Sequence, residues 1–227
     1  MSTFHSGAGG NYSFTPVSGL EPSSYLFGKV TDMGITYVGT FCLETNEFFN
    51  PGGTYNAALS GGAKNGGAGG ATNDFDPISA GTAFLYEKFA LGGLGSGFSY
   101  TDSSKSLDLQ NMFWYLEDEQ GSYGNSSFTS DLETLLKNKF DPVGQNLTTA
   151  LSAAKLDYTG TAVQAMNLTG LNNVNERHQD QLFYVSTGGD TEQVPEGGAT
   201  LGLLSLSVLG LGLMARNSRI AIGASAE

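Results

Sequence analysis

Cysteine, histidine and positive charge are all scarce in this chain. A single cysteine, Cys42, among 227 residues excludes an intramolecular disulfide and any metal cluster built on several thiolates. The two histidines, His5 and His178, have no partner at metal-ligand or catalytic-triad spacing. His5 sits near a terminus and His178 in a polar run, so both read as solvated. Lys and Arg together number 10 against 22 Asp and Glu, for a net charge of −12. That sign argues against nucleic acid or anionic lipid as a partner. Only 14% of residues are charged, while glycine alone contributes 33. The glycine-rich run Gly61–Gly70 lacks the Gly-Lys-Ser/Thr ending of a phosphate loop and reads as a flexible hairpin or insertion.

The length suits one main domain with a sizeable core and a tail. Residues 12–44 read as strands. In Ile35–Cys42, Ile35, Tyr37 and Phe41 share one face, and Val38, Thr40 and Cys42 the other. Both faces are apolar enough for sandwich packing. A further strand is expected over 53–59. Asp76-Pro77 resembles a helix start, with the stop at Gly92-Gly93. Ser130-Asp131-Leu132-Glu133 fits a capping box for a helix through Phe140. Asp141-Pro142 opens a shorter helix to about Lys155, and strands follow over 161–168 and 181–186. Strands come first, helices cluster centrally and strands close the domain. The expected class is α+β: a β-sandwich or barrel-like domain with a central helical insertion.

The most informative helix is expected at Ser106–Glu119. Leu109, Met112, Phe113 and Leu116 share one face, extended by Leu107 and Trp114. Gln110 falls inside that apolar arc. A buried amide without partners costs roughly 1–3 kcal/mol. Gln110 is therefore hydrogen-bonded, at the edge of the buried face, or used chemically.

Phe41-Cys42 at a strand end, followed downstream by Leu109-Gln110-Asn111-Met112-Phe113-Trp114 on a helix, resembles the thioester domains of bacterial surface adhesins. In that family a Thr-Gln-x-Ala motif, commonly followed by Ile-Trp, supplies the glutamine. Gln110 and Trp114 match it; Leu109, Met112 and Phe113 stand where the motif has Thr, Ala and Ile. The resemblance implies that Cys42 and Gln110 condense into an internal thioester with loss of ammonia. Phe41, Phe113 and Trp114 would then shelter the bond from water. A partner's amine would attack the carbonyl once, leaving Gln110 amide-linked to the partner and Cys42 as a free thiol. That is single-turnover attachment rather than enzyme turnover, and it needs no cofactor or metal.

The end of the chain carries a second pattern. A polar linker, 188–193, leads to Val194-Pro195-Glu196-Gly197-Gly198, then the uncharged apolar run Ala199–Ala215, then Arg216 and Arg219. Such a run is at the short limit of the roughly 17–25 residues that span a bilayer, with positive charge on the cytoplasmic side. The order is similar to the PEP-CTERM sorting signal read by exosortases. It implies a transmembrane helix over 199–215, export across an inner membrane, cleavage near Val194–Gly198, and a final place at the cell surface or outside the cell. Met1–Gly10 shows no basic start or apolar leader. The expectation is that the sequence begins inside a longer precursor or that the leader was removed. The organisation is then 1–187 extracellular domain, 188–193 linker and 194–227 sorting signal.

Two other readings compete with covalent attachment. One is a structural surface or matrix protein of the same fold in which Cys42 is an unreacted buried residue. The other is an exported hydrolase, for which no nucleophile–base signature is visible. Glu44, Glu47, Glu117 and Glu119 offer carboxylates but read as solvated strand and helix ends. Asn73-Asp74-Phe75-Asp76 reads as an Asx-rich turn of the kind that usually binds nothing.

Overall fold

Short strands at the start of the chain pair antiparallel with their neighbours. The computed structural model describes residues 4–6, 9–14, 29–32, 35–50, 53–64, 72–95, 98 and 102–185, with side chains from residue 39 onward. All belong to the unit Met1–Thr187. The expected linker, sorting motif and apolar span over 188–227 lie outside the described residues. Among the described residues no helix is long and apolar enough to cross a membrane.

Strands β1 (Phe4–Ser6), β2 (Gly9–Phe14), β3 (Lys29–Asp32) and β4 (Ile35–Thr40) form one sheet in the order β1-β2-β4-β3. His5 therefore lies in a strand, not in a loose terminus. A second sheet has the order β5-β8-β9, from β5 (Tyr55–Ser60), β8 (Val163–Gly170) and β9 (Arg177–Tyr184). His178 sits in β9, its ring 4.6 Å from that of Tyr55, rather than in a solvated turn. A two-stranded ribbon joins β6 (Gly62–Lys64) and β7 (Phe75–Pro77). Part of the glycine-rich run is therefore a strand.

Four helices follow as one block: α1 (Ala80–Ala90), α2 (Ser103–Leu116), α3 (Ser127–Phe140) and α4 (Leu147–Ala154). Three of them begin on a different cap from the expected one, and α2, expected from Ser106, starts three residues earlier. Asp76-Pro77 is taken up by the β6–β7 ribbon, and Ser79 caps α1 by accepting from Thr82 N–H at 3.2 Å. Asp102 caps α2, accepting from Ser104 and Lys105 N–H at 3.1 Å each. Ser126, not Ser130, caps α3, accepting from Thr129 N–H at 3.0 Å. Asp141 folds a turn onto Gly144 and Asn146 N–H, and Asn146 then caps α4. The α1 stop is where the glycines put it. Gly92 has φ +72°, and the N–H groups of Gly92 and Gly93 close onto the carbonyls of Phe89 and Lys88.

The core forms where this helical block meets the strand end after β4. Phe41 is fully buried, edge-on to Phe89 at 4.9 Å and to Phe113 at 5.1 Å. Against α4, α1 comes close at Gly81. A Cβ there would lie 2.7 Å from Ala154 Cβ and 3.1 Å from Leu116 Cδ1. Alanine normally stabilises a helix relative to glycine by ~0.5–1 kcal/mol. At this contact Gly81→Ala is expected instead to lower stability by about 1–3 kcal/mol, read as a fall in the urea midpoint. An unchanged or raised midpoint would show that the helices separate at little cost.

Candidate functional site

Past Thr40 the chain runs on beside β9 and ties the two larger sheets together. Leu182 N–H donates to the Phe41 carbonyl at 2.9 Å, and Leu43 N–H donates to the Asp180 carbonyl at 3.0 Å. Thr40 Oγ1 donates to the Leu182 carbonyl at 2.6 Å. Cys42 is paired opposite Gln181 between these bonds. In this position its own N–H and C=O point away from β9.

Gln110 occupies that open side. Cys42 N–H donates to Gln110 Oε1 at 2.9 Å, and Gln110 Nε2 donates to the Cys42 carbonyl at 2.8 Å. The side-chain amide thus bonds the strand as a neighbouring strand would. Gln110 is 0% exposed, and its helical position among apolar residues follows from this pairing. Two residues 68 apart in sequence are thereby brought together. Phe41 and Phe113 pack on each other beside them. Trp114, one turn beyond Gln110, is buried, and its indole Nε1 has no hydrogen-bond partner among the described residues.

The Cys42 sulfur is enclosed. Gln181 Nε2 donates to Sγ at 3.5 Å, and Gln181 Oε1 lies 3.9 Å from it. Burial pushes the thiol up to about 12, against the lowering effect of the Gln181 hydrogen bond. Cys42 is therefore a thiol, not a thiolate, at neutral pH.

Glu44, two residues on, is 1% exposed and is not a solvated strand end. Its Oε2 accepts from Asp180 N–H at 3.1 Å, and its Oε1 has no hydrogen-bond partner among the described residues. Burial, with Asp180 and Glu47 nearby, pushes its carboxyl up to about 10, so it is a neutral acid at pH 7. Asp180 is buried as well. It accepts from Lys64 N–H at 2.7 Å, Asn167 Nδ2 at 2.6 Å and Leu168 N–H at 3.1 Å, filling the irregularity between Met166 and Leu168 in β8.

Of the other three glutamates of interest, Glu47 is half-buried, and Glu117 and Glu119 are buried on partners other than those of Glu44. Glu119 Oε2 accepts from Thr45 N–H and Oγ1, each at 2.9 Å. Glu117 Oε1 accepts from Ser79 N–H at 3.1 Å and Oγ at 2.7 Å, tying the end of α2 to the start of α1. Glu117 borders a cleft of about 390 Å³ that it shares with Asp76, Asp118, Lys155 and Asp157. Asn73 and Asp74, both with positive φ, form the turn that leads into β7. Among the described residues no group of His, Cys, Asp and Glu is arranged to hold a metal ion.

Gln181 and Asp180 escaped the reading of the sequence. The signal was the polar run Gln179-Asp180-Gln181 directly before the apolar Leu182-Phe183-Tyr184 of the closing strand, which puts polar side chains on both strand faces. No family model, curated protein or solved structure matches the chain.

Proposed function

We propose that the chain is an exported surface or matrix protein that attaches covalently to an amine-bearing partner through a Cys42–Gln110 thioester. The observation that carries this reading is the paired bonding of the Gln110 amide to the Cys42 backbone beside a buried sulfur. Sγ attacks the Gln110 side-chain carbonyl carbon, a C–S bond forms, the C–N bond breaks and ammonia leaves. Cys42 N–H, 2.9 Å from Oε1, lies in the range expected of a donor to a developing oxyanion. That bond survives the reaction; the one from Nε2 leaves with the ammonia. An amine on the partner then repeats the attack on the thioester carbonyl, and the Cys42 thiol is released. Full burial of both Cys42 and Gln110 keeps water from competing.

Export rests on the tail. Val194-Pro195-Glu196-Gly197-Gly198, the apolar run and Arg216 support a precursor held at the inner membrane and cut by an exosortase-type enzyme. Finding the mature protein in the cytosol would refute that part.

One observation favours the second reading, a surface protein whose cysteine stays unreacted: Gln110 is already fully satisfied as an ordinary amide. Intact mass of the folded, unreduced chain separates the two. The expected mass is short by one ammonia, rises by one methylamine on treatment, and equals the sequence in Cys42→Ala. A wild-type mass equal to the sequence, with Cys42 titrating as a thiol only after unfolding, would leave a buried structural cysteine.

A further inference from the structure

Two glutamine amides meet at Cys42. Gln110 bonds its backbone, and Gln181 bonds its sulfur. The bonds from Leu182 N–H to the Phe41 carbonyl and from Leu43 N–H to the Asp180 carbonyl flank the Cys42–Gln181 pair. It is therefore a non-hydrogen-bonded antiparallel pair, the kind in which facing side chains come closest. Strand register sets Gln181 against the sulfur.

Gln181 is 2% exposed. Its Nε2 carries two hydrogens. One donates to the Gln179 carbonyl at 3.2 Å, and the other to Cys42 Sγ at 3.5 Å. The first bond fixes the amide, so the second is aimed. Oε1, 3.9 Å from Sγ, accepts from the thiol hydrogen. The amide thus has a bond for the sulfur in each of its states: it accepts from S–H and donates to a sulfur that carries negative charge. A resting thiol asks for neither, since it is a weak donor and a weak acceptor. An apolar side chain would fill this core position without an amide to desolvate.

We propose that Gln181 is the hydrogen-bond donor to sulfur in the transition states of the Cys42–Gln110 exchange, an inference that rests on the thioester reading above. In condensation Sγ attacks the Gln110 carbonyl carbon, the C–S bond forms, the C–N bond breaks, and the thiol proton leaves with the nitrogen as ammonia. In aminolysis the amine nitrogen bonds to the same carbon and the electron pair of the C–S bond goes to sulfur. The proton that the amine loses ends on sulfur. Both steps pass through a sulfur more negative than in the thiol or the thioester. The bond from Gln181 Nε2 strengthens with that charge, so it lowers the barrier rather than holding the ground state. Cys42 N–H does the same for the Gln110 oxygen, and the two donors serve the two atoms on which charge grows. The Gln181 bond also lowers the thiol pKa, against burial and Glu44.

Gln181→Met removes the donor and the acceptor at similar length. Gln181→Asn keeps both on a shorter stem. Methylamine incorporation into the full chain is followed by intact mass, and fragment masses locate the modified residue. The infrared S–H stretch of the methylamine-treated protein reports the hydrogen bond of the sulfur, as one band because the chain has one cysteine. Incorporation at residue 110 is expected to slow by about 10–10²-fold in Gln181→Met, toward the low end for loss of such a donor because sulfur is the weaker acceptor. The S–H band is expected to move to the higher frequency of an unbonded thiol. A folded Gln181→Met chain that never forms the thioester, with the band so moved, is the same result at its extreme. Gln181→Asn should recover part of the rate and of the band position. A wild-type rate in Gln181→Met would overturn the inference. So would a lost rate with the band unmoved, which makes Gln181 structural, or methylamine found at residue 181, which makes it the acyl donor. A wild-type chain without the thioester would overturn the parent reading itself.

Discussion

In a Cys42→Ala background, replacing Gln110 by alanine is expected to lower stability by roughly 3–5 kcal/mol. The pairing uses only the backbone of residue 42, so it persists when the sulfur is removed. Truncating Gln110 then leaves a buried N–H and a buried C=O without partners, at roughly 1–3 kcal/mol each, and opens a cavity beside Phe113. Urea unfolding followed by the fluorescence of Trp114, the chain's one tryptophan, reads the difference. A cost below about 1 kcal/mol would remove the amide–strand pairing from the account of the fold. The companion comparison, wild type against Cys42→Ala, carries the chemistry. Loss of a buried thiol alone costs roughly 1 kcal/mol. A thioester also closes a chain segment between residues 68 apart, which by the entropy of cross-linking adds roughly 4 kcal/mol. Methylamine treatment would then bring wild type down toward Cys42→Ala.

How these parts were legible differs from one to the next. The placement of Gln110 inside an apolar helical arc could be read from period alone. Its partner could not, because the pairing joins a helix to a strand 68 residues earlier and came into view only through the motif resemblance. Helix ends went astray where two caps competed locally. Asp76 and Ser79 are both good N-caps, and what decides between them is the β6–β7 ribbon, which claims residues 75–77 by pairing with Gly62–Lys64. The same holds for Ser126 and Ser130, where Asp108 accepts from Ser126 Oγ at 2.6 Å and holds it in place. The α1 stop, by contrast, is set by two adjacent glycines and is local, so period and composition found it. Glutamates read as solvated by default, since charge is seldom buried. Glu44 and Glu117 depart from that default because distant backbone donors, Asp180 N–H and Ser79 N–H, supply their partners. Nothing near either residue in sequence announces those donors.

Those buried acids give the protein an unusual expected response to pH. Glu117 is pushed from its ordinary 4.5 up to about 7, first by burial and then by Asp76, against the hydrogen bonds from Thr82 and Ser79. Asp76 rises from 3.8 to about 6, by burial and then by Glu119, Asp118 and Asp157. The cation lining this cleft, Lys155, is paired with Asp118. A carboxyl whose folded pKa is raised binds more protons folded than unfolded. Its stabilising contribution is therefore complete below the unfolded pKa and is lost as pH rises through the folded one. For Glu117 that window runs from 4.5 to about 7, with a limit of ~1.4 kcal/mol per pH unit. Glu44 adds loss of the same sign toward higher pH. With the chemistry silenced by Cys42→Ala, the urea midpoint is expected to fall between about pH 5 and pH 8, opposite to ordinary acid denaturation. Glu117→Gln, which keeps an acceptor for Ser79 N–H, should match that background at the acid end and exceed it by roughly 1–3 kcal/mol at the alkaline end. Stability that rises over this interval, or a Glu117→Gln curve parallel to its background, would mean that water reaches Glu117 and that the link between α2 and α1 is an ordinary ionised one.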